Sequence, residues 1–266
     1  QPTMVLLGAI TLREPLQIFL LITAFYFGLK MRIYETNKIL NFSLMVLFSV
    51  MMGYLHKALF LYSVVLIGVL LVWNINKPKK LFVVSKYRLF ILFFAPIILF
   101  IFAYIAANSD VSGSELFRQL SSGVLLKAIA KHRLSTPIGR ASYDIIFDIS
   151  SYPAIAYSSF LAYVHYLFAP FIWQVSSVVD IYACLESIAH LILIYYAIKL
   201  WRLEKGRKHQ LLGMLLVLFF IMSLMWALGS TNYGTAMRHK LLSWWMLVLM
   251  GGPLFYKQMR SLLINI

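Results

Sequence analysis

The sequence predicts an all-α fold, a polytopic helical membrane protein with a long extracytoplasmic insert containing amphipathic or re-entrant helices. Two observations carry that prediction. Apolar residues make up 62% of the 266 positions and charged residues only 12%, too few charges to cover a soluble surface. The apolar residues are also gathered into runs of near membrane-crossing length, separated by short polar or basic connections. The 20 Phe, 16 Tyr and 6 Trp suit lipid-facing surfaces and interfacial belts.

The runs lie at 15–29, 39–54, 57–74, 89–107, 155–173, 181–200, 210–228 and 241–256. Several fall short of the roughly 20 residues an untilted span needs at about 1.5 Å per residue. Short spans that stop at polar residues point to broken or re-entrant helices around a cavity. Four connections are basic, 30–38 (KMRIYETNK), 77–88 (KPKKLFVVSKYR), 201–209 (WRLEKGRKH) and 257–260 (KQMR), and the positive-inside rule assigns all four to the cytoplasm. Two crossings must then separate the first pair, which splits 39–74 near His56. An even number must separate 77–88 from 201–209, so one of 89–107, 155–173 and 181–200 does not cross. The run 155–173 is the one expected to fail, because it holds His165 and Pro170 and ends in the cluster FAPFIW. Residues 108–178 then form one extracytoplasmic insert, and inserts of that length tend to carry function.

One membrane domain is expected to cover 1–266. Residues 4–10 (MVLLGAI) look like the tail of an apolar segment and the chain opens on Gln1, so it is expected to be a C-terminal portion of a longer protein. The single Cys184 excludes an internal disulfide and a Cys-based metal site. The net charge of +15 sits in clusters at the ends of apolar runs, the pattern of membrane orientation, and not in a stripe with interleaved aromatics. Nucleic acid is therefore excluded as a partner.

With this sidedness Arg13-Glu14, His56-Lys57, the insert and the strip 230–240 (STNYGTAMRHK) all fall on the outer face. The strip holds an amide, two small positions and the triplet Arg238-His239-Lys240, a mixture suited to an anionic ligand at the water boundary. Arg13 and Glu14 precede Pro15 at the start of a span. Glu14 and Pro15 suit a helix N-terminus, whereas Arg13 stands at the wrong pole and is either a ligand or an internal ion-pair partner. His56 is a polar hinge or, as an ionisable residue at membrane depth, a functional group. In KAIAKHRLSTPIGR, Lys127 and Lys131 share a helix face at i, i+4 and His132-Arg133 follow. That segment is a basic amphipathic helix on anionic headgroups, a guanidinium clamp for a pyrophosphate, or both. No His/Asp/Glu cluster has metal-ligand spacing, so neither a metal nor a cofactor is expected. Glu186 and His190 share a helix face and can pair with each other.

An outer Arg-Glu leading a span (LREPLQIFL), a broken helix pair around His (MMGYLHKAL), a long outer insert closing in YLFAPFIW, and a terminal NYGTAMRHK together resemble the bacterial polysaccharide polymerases, the Wzy-type O-antigen and capsule polymerases. The resemblance spans nearly the whole chain on short, degenerate motifs. It implies a metal-independent helical fold, related to that of O-antigen ligases, in the bacterial inner membrane with its active site facing the periplasm or cell exterior. It implies that oligosaccharide repeat units carried on undecaprenyl pyrophosphate are the substrate, that membrane lipids surround the protein, and that a chain-length regulator protein is a partner. Arg238, Arg133, Arg140 and Arg13 would then hold the pyrophosphate. His132, His239 or His56 would take the acceptor hydroxyl proton, and Asn232, Tyr233 and Gly234 would approach sugar or phosphate oxygens.

Two other enzyme and transport readings share that substrate. An O-antigen ligase or other lipid-linked glycosyltransferase differs by its acceptor. A flippase of lipid-linked glycan is expected to show internal repeats and mid-membrane charges, and no repeat is visible. A purely structural membrane subunit is the remaining alternative.

Overall fold

The computed structural model describes residues 13–33, 37–73, 124–136, 139–143 and 145–264. The run 89–107, the basic connection 77–88, the segment 4–10 and the acidic and basic residues Asp110, Glu115, Arg118 and Asp144 lie outside the described residues. The described part is helical: α1 (Arg13–Ile33), α2 (Lys38–Leu55), α3 (Lys57–Val72), α4 (Val124–Ser135), α5 (Tyr152–Phe168), a 3-10 turn at Ile172–Gln174, α6 (Val178–Leu203), α7 (Gly206–Gly229) and α8 (Tyr233–Ile264). Among the described residues no strand forms; an isolated bridge joins Ser142 to Asn232.

Four of these helices, α1, α2, α6 and α7, are long and apolar enough to cross a membrane. Their exposure pattern agrees with a lipid surround. Phe19, Ile22 and Tyr26 on α1 and Leu185, Ile188, Leu191 and Tyr195 on α6 face outward, while Asn41, Ser49, Glu186, His190 and Ser223 are buried. A soluble bundle hides the first set and exposes the second; inside a bilayer small and polar side chains pack between helices.

The described residues fall into two compact units, the first holding α1, α2 and α3 and the second holding α5, α6, α7 and α8. In the first, α1, α2 and α3 pack on one another around Leu21, Ala24, Met45, Met52, Leu59 and Leu66. The α2–α3 break falls at His56, as the sequence reading placed it. His56 is extended, and its Nδ1 accepts from the Ala58 N–H at 3.1 Å, capping α3.

In the second unit α5, α6, α7 and α8 pack together. Side-chain caps set the helix starts: Ser151 Oγ accepts from Ala154 N at 3.3 Å, Ser177 Oγ from Asp180 N at 3.3 Å, and Asn232 Oδ1 from Thr235 N at 2.8 Å. A turn at Glu204-Lys205 reverses α6 into α7, with Gly206 at φ 61°, a left-handed conformation that glycine adopts without strain. Lys240 on α8 meets Ser187 on α6, and Gly251 further along α8 meets Leu193 and Ala197. The two helices therefore run parallel, and α7 runs against both.

The strip 230–240 is mostly helix. From Tyr233 onward it is the first two turns of α8, because Asn232 caps the helix and Tyr233, Ala236, Met237 and Lys240 turn a buried side to the bundle.

Candidate functional site

The strip and the basic segment of the insert meet. Tyr143 N donates to Thr231 O at 2.8 Å and Tyr233 N to Ala141 O at 3.0 Å, so the turn 139–143 is laced to 231–233. Beneath the lacing lies Asp180, fully buried in the first turn of α6. Its carboxylate accepts from the Tyr233 hydroxyl, from an Arg140 guanidinium N–H, and from Ser176 N at 3.1 Å and Ser176 Oγ at 3.0 Å. Arg140 also donates to Ser177 Oγ at 3.0 Å. The carboxylate sits at the positive end of a helix dipole and every oxygen is met, so its charge is stabilised where it is. The bonded partner holds Arg140, half-exposed, above the ordinary arginine pKa.

Arg133 takes a different part from the one expected of it. It is buried, and its Nη1 contacts the carbonyls of Ala227, Leu228 and Ser230 at 3.1, 3.2 and 3.0 Å. It therefore ties the end of α4 to the C-terminal carbonyls of α7, which have no partner within their own helix. Burial lowers its pKa from the usual value. Its Nε and Nη2 make no hydrogen bond.

The remaining expected residues divide between the units. His132 is exposed on α4, beside the pinned Arg133. His239 is half-buried; its ring stacks on Trp226 with centroids 3.8 Å apart, and its Nδ1 lies 3.2 Å from Ser230 Oγ. Gly234 and Arg238, i and i+4 on α8, are both exposed, so they share an open face of the helix's first turns. Arg13 and His56 belong to the first unit. There Arg13 Nη2 donates to Leu55 O at 2.6 Å, the C-terminal carbonyl of α2. Burial and the Arg13 charge, opposed by Glu14, pull the His56 pKa down from 6.5 to about 4.

Two residues without an expected role are central. Asp180 organises the lacing, and its signal was present as the Ser177-x-x-Asp180 spacing of a helix start. Lys240 is 1% exposed; its Nζ donates to Leu167 O at 3.1 Å and to Ser187 Oγ at 3.4 Å, while Ser187 Oγ donates to Ala169 O at 3.0 Å. Ser187 lies nine residues into α6, about 13 Å along its axis, so the C-terminal carbonyls of α5 end inside the bundle, where protein groups satisfy them. The expected Glu186–His190 pair does not form a hydrogen bond: both His190 ring nitrogens are unbonded, and the ring lies 4.2 Å from that of Trp244.

Among the described residues no group of three or more His, Cys, Asp and Glu side chains is arranged to hold a metal ion. No family model, no curated protein and no solved structure matches the chain.

Proposed function

We propose that the protein is a glycosyltransferase of the bacterial cytoplasmic membrane that polymerises oligosaccharide units carried on a polyprenyl pyrophosphate, in the manner of the Wzy-type polymerases its motifs resemble. The reaction belongs to the outer face, at the end of the second unit where the turn 139–143 meets the start of α8. The observation that carries this reading is the open face of Gly234 and Arg238 at the N-terminus of α8. A helix N-terminus favours an anionic group, glycine lets a phosphate oxygen approach the backbone, and a guanidinium supplies forked bonds to it. Arg140, braced by Asp180, keeps part of its guanidinium exposed beside the same lacing.

In the reaction, a hydroxyl of the incoming unit attacks the anomeric carbon of the growing chain. The bond from that carbon to the pyrophosphate oxygen breaks, and the lipid pyrophosphate leaves with its electron pair. Pyrophosphate is already a good leaving group, so fixed cations that hold its growing charge supply the main acceleration. The acceptor proton goes to a histidine, and His239 has the oriented ring, while His132 stands at the same end of the bundle. A histidine base contributes roughly 10²–10⁴-fold. Arg133 and Arg13 act on helix ends in this scheme and not on substrate.

Arg238→Ala tests the reading. In a strain lacking the native gene, the variant restores membrane protein levels but not long-chain surface glycan on a gel. Binding of polyprenyl pyrophosphate to the purified variant weakens roughly 10- to 100-fold, as expected for one charge-assisted contact. An unchanged polymer length distribution with Arg238→Ala would sink the assignment.

A further inference from the structure

We propose that α4 is a docking surface for the anionic phospholipid headgroups around the protein, independent of any glycan chemistry. Three observations on one short helix lead there. First, its level is fixed. Arg133 pins α4 to the last carbonyls of α7, a 24-residue helix long and apolar enough to span a bilayer. At about 1.5 Å per residue α7 measures about 36 Å against a hydrocarbon core of about 30 Å. Its final carbonyls, and α4 with them, therefore stand at a headgroup layer.

Second, the outward stripe of α4 has the right chemistry. Lys127, Lys131 and Leu134 follow at i, i+4 and i+7, so they line one face, and all three are exposed, Leu134 by 73%. Ala130 and Arg133, on the adjoining flank of the helix, are buried, so the packed side of α4 lies next to this stripe and not across it. Two ammonium groups with an apolar side chain between phosphates and acyl chains form an interfacial helix face in miniature. The sequence of α4, VLLKAIAKHRLS, holds no carboxylate to compete for either lysine.

Third, the same end of the unit carries other interfacial side chains. Ile172 and Trp173 are exposed by 73% and 80% in the turn that leads into α6, and Trp173 stacks on Phe171 with centroids 4.8 Å apart. Tryptophan concentrates at the headgroup level. A cationic face and an aromatic turn at one end fit a lipid surface; a soluble acidic partner gives no reason for the exposed Ile172 and Trp173.

Hydrogen exchange of the whole protein in nanodiscs tests this. Discs of phosphatidylcholine alone are compared with discs containing about one third phosphatidylglycerol, for the native chain and for Lys127→Gln/Lys131→Gln. Phosphatidylglycerol is expected to slow exchange across 124–135 in the native chain, by up to about 5-fold per lysine, and to leave α4 of the double variant unaffected. Exchange in α6 and α7 serves as the folding control, and the native chain in the two lipids stands as a test even if the variant folds poorly. Equal exchange in the two lipids overturns the proposal, as does equal protection of both proteins. Protection reproduced by adding inorganic pyrophosphate to phosphatidylcholine discs overturns it in favour of a free anion.

Discussion

Three arginines answer the same physical need. Arg13 donates to Leu55 O at 2.6 Å, Arg32 to Trp73 O at 2.6 Å and Arg133 to the last carbonyls of α7. Each meets a helix C-terminus, the negative pole of the helix dipole, where carbonyls lack intrahelical partners and lipid offers none. The wrong-pole position of Arg13 is resolved this way: it serves the end of a neighbouring helix, not the start of its own. The residue type was legible as a cation at a boundary, but its partner lies 42 positions away and that of Arg133 nearly a hundred, and no local pattern encodes such a pairing. The consequence for His56 is titratable. Its folded pKa, about 4, lies below the ordinary 6.5, so the folded state resists protonation. Its contribution to stability is full above pH 6.5, is lost as pH falls from 6.5 toward 4, and is constant below. Protonation also removes the Nδ1 lone pair that caps Ala58. The melting temperature is therefore expected to fall by several degrees between pH 7 and pH 5. His56→Asn, which keeps an acceptor at the cap, is expected to flatten that dependence, and an identical fall in the variant would exclude His56 as its source.

At the scale of elements, the apolar runs announced the helices. The runs 15–29, 39–54, 181–200 and 210–228 all lie inside α1 (Arg13–Ile33), α2 (Lys38–Leu55), α6 (Val178–Leu203) and α7 (Gly206–Gly229), each of which extends further at both ends, by as little as one residue for α2. The extensions are polar or capped turns, which hydropathy does not register. The start of α8 lies outside the apolar run 241–256 for the same reason: Gly234, Thr235, Arg238 and His239 carry no hydropathy signal, whereas the Asn232 cap and the buried side of Ala236, Met237 and Lys240 make a helix. The run 155–173 contains α5, which ends at Phe168, and the meeting of its last carbonyls with Lys240 and Ser187 joins residues up to 73 positions apart, which no local pattern encodes. The parallel contact of α6 and α8 gives a sharp test of packing. A Cβ at Gly251 falls 2.4 Å from Leu193 O, a backbone atom that cannot swing aside, whereas one at the neighbouring Gly252 meets nothing nearer than Val248 Cγ1 at 3.8 Å. Gly251→Ala is expected to push the helices apart and cost roughly 1–3 kcal/mol. Gly252→Ala should be neutral or slightly stabilising, since alanine favours the helix. Thermal melts of the two variants in detergent read the difference, and equal melting temperatures would contradict the close contact.

For the molecule as a whole, the proposed chemistry requires the end of the second unit that carries the start of α8 to face the cell exterior. The direction of α6, α7 and α8 brings the connection 201–209 and the segment 257–260 to one end. There Arg202, Lys205, Arg207, Lys208, Lys257 and Arg260 are all exposed, with Glu204 opposing them. The other end is basic in composition too, which blurs a count made along the sequence. The structure separates the charges: Arg133 and Lys240 are buried on carbonyls and Arg140 is matched by Asp180, while Lys127, Lys131 and Arg238 are exposed. The excess of exposed cations in short connections is what the proposal requires of a cytoplasmic α6–α7 turn. The one cysteine, Cys184, is buried on α6, so Cys184→Ala gives a background for single introduced thiols. Gln174→Cys, exposed before α6, is expected to react with an impermeant maleimide on intact spheroplasts. Lys205→Cys, exposed at the turn, should react only after permeabilisation. The reverse pattern would put Arg238 and the lacing around Asp180 on the cytoplasmic side, where a polymerase acting on exported repeat units has no substrate, and the proposed function would fall with it.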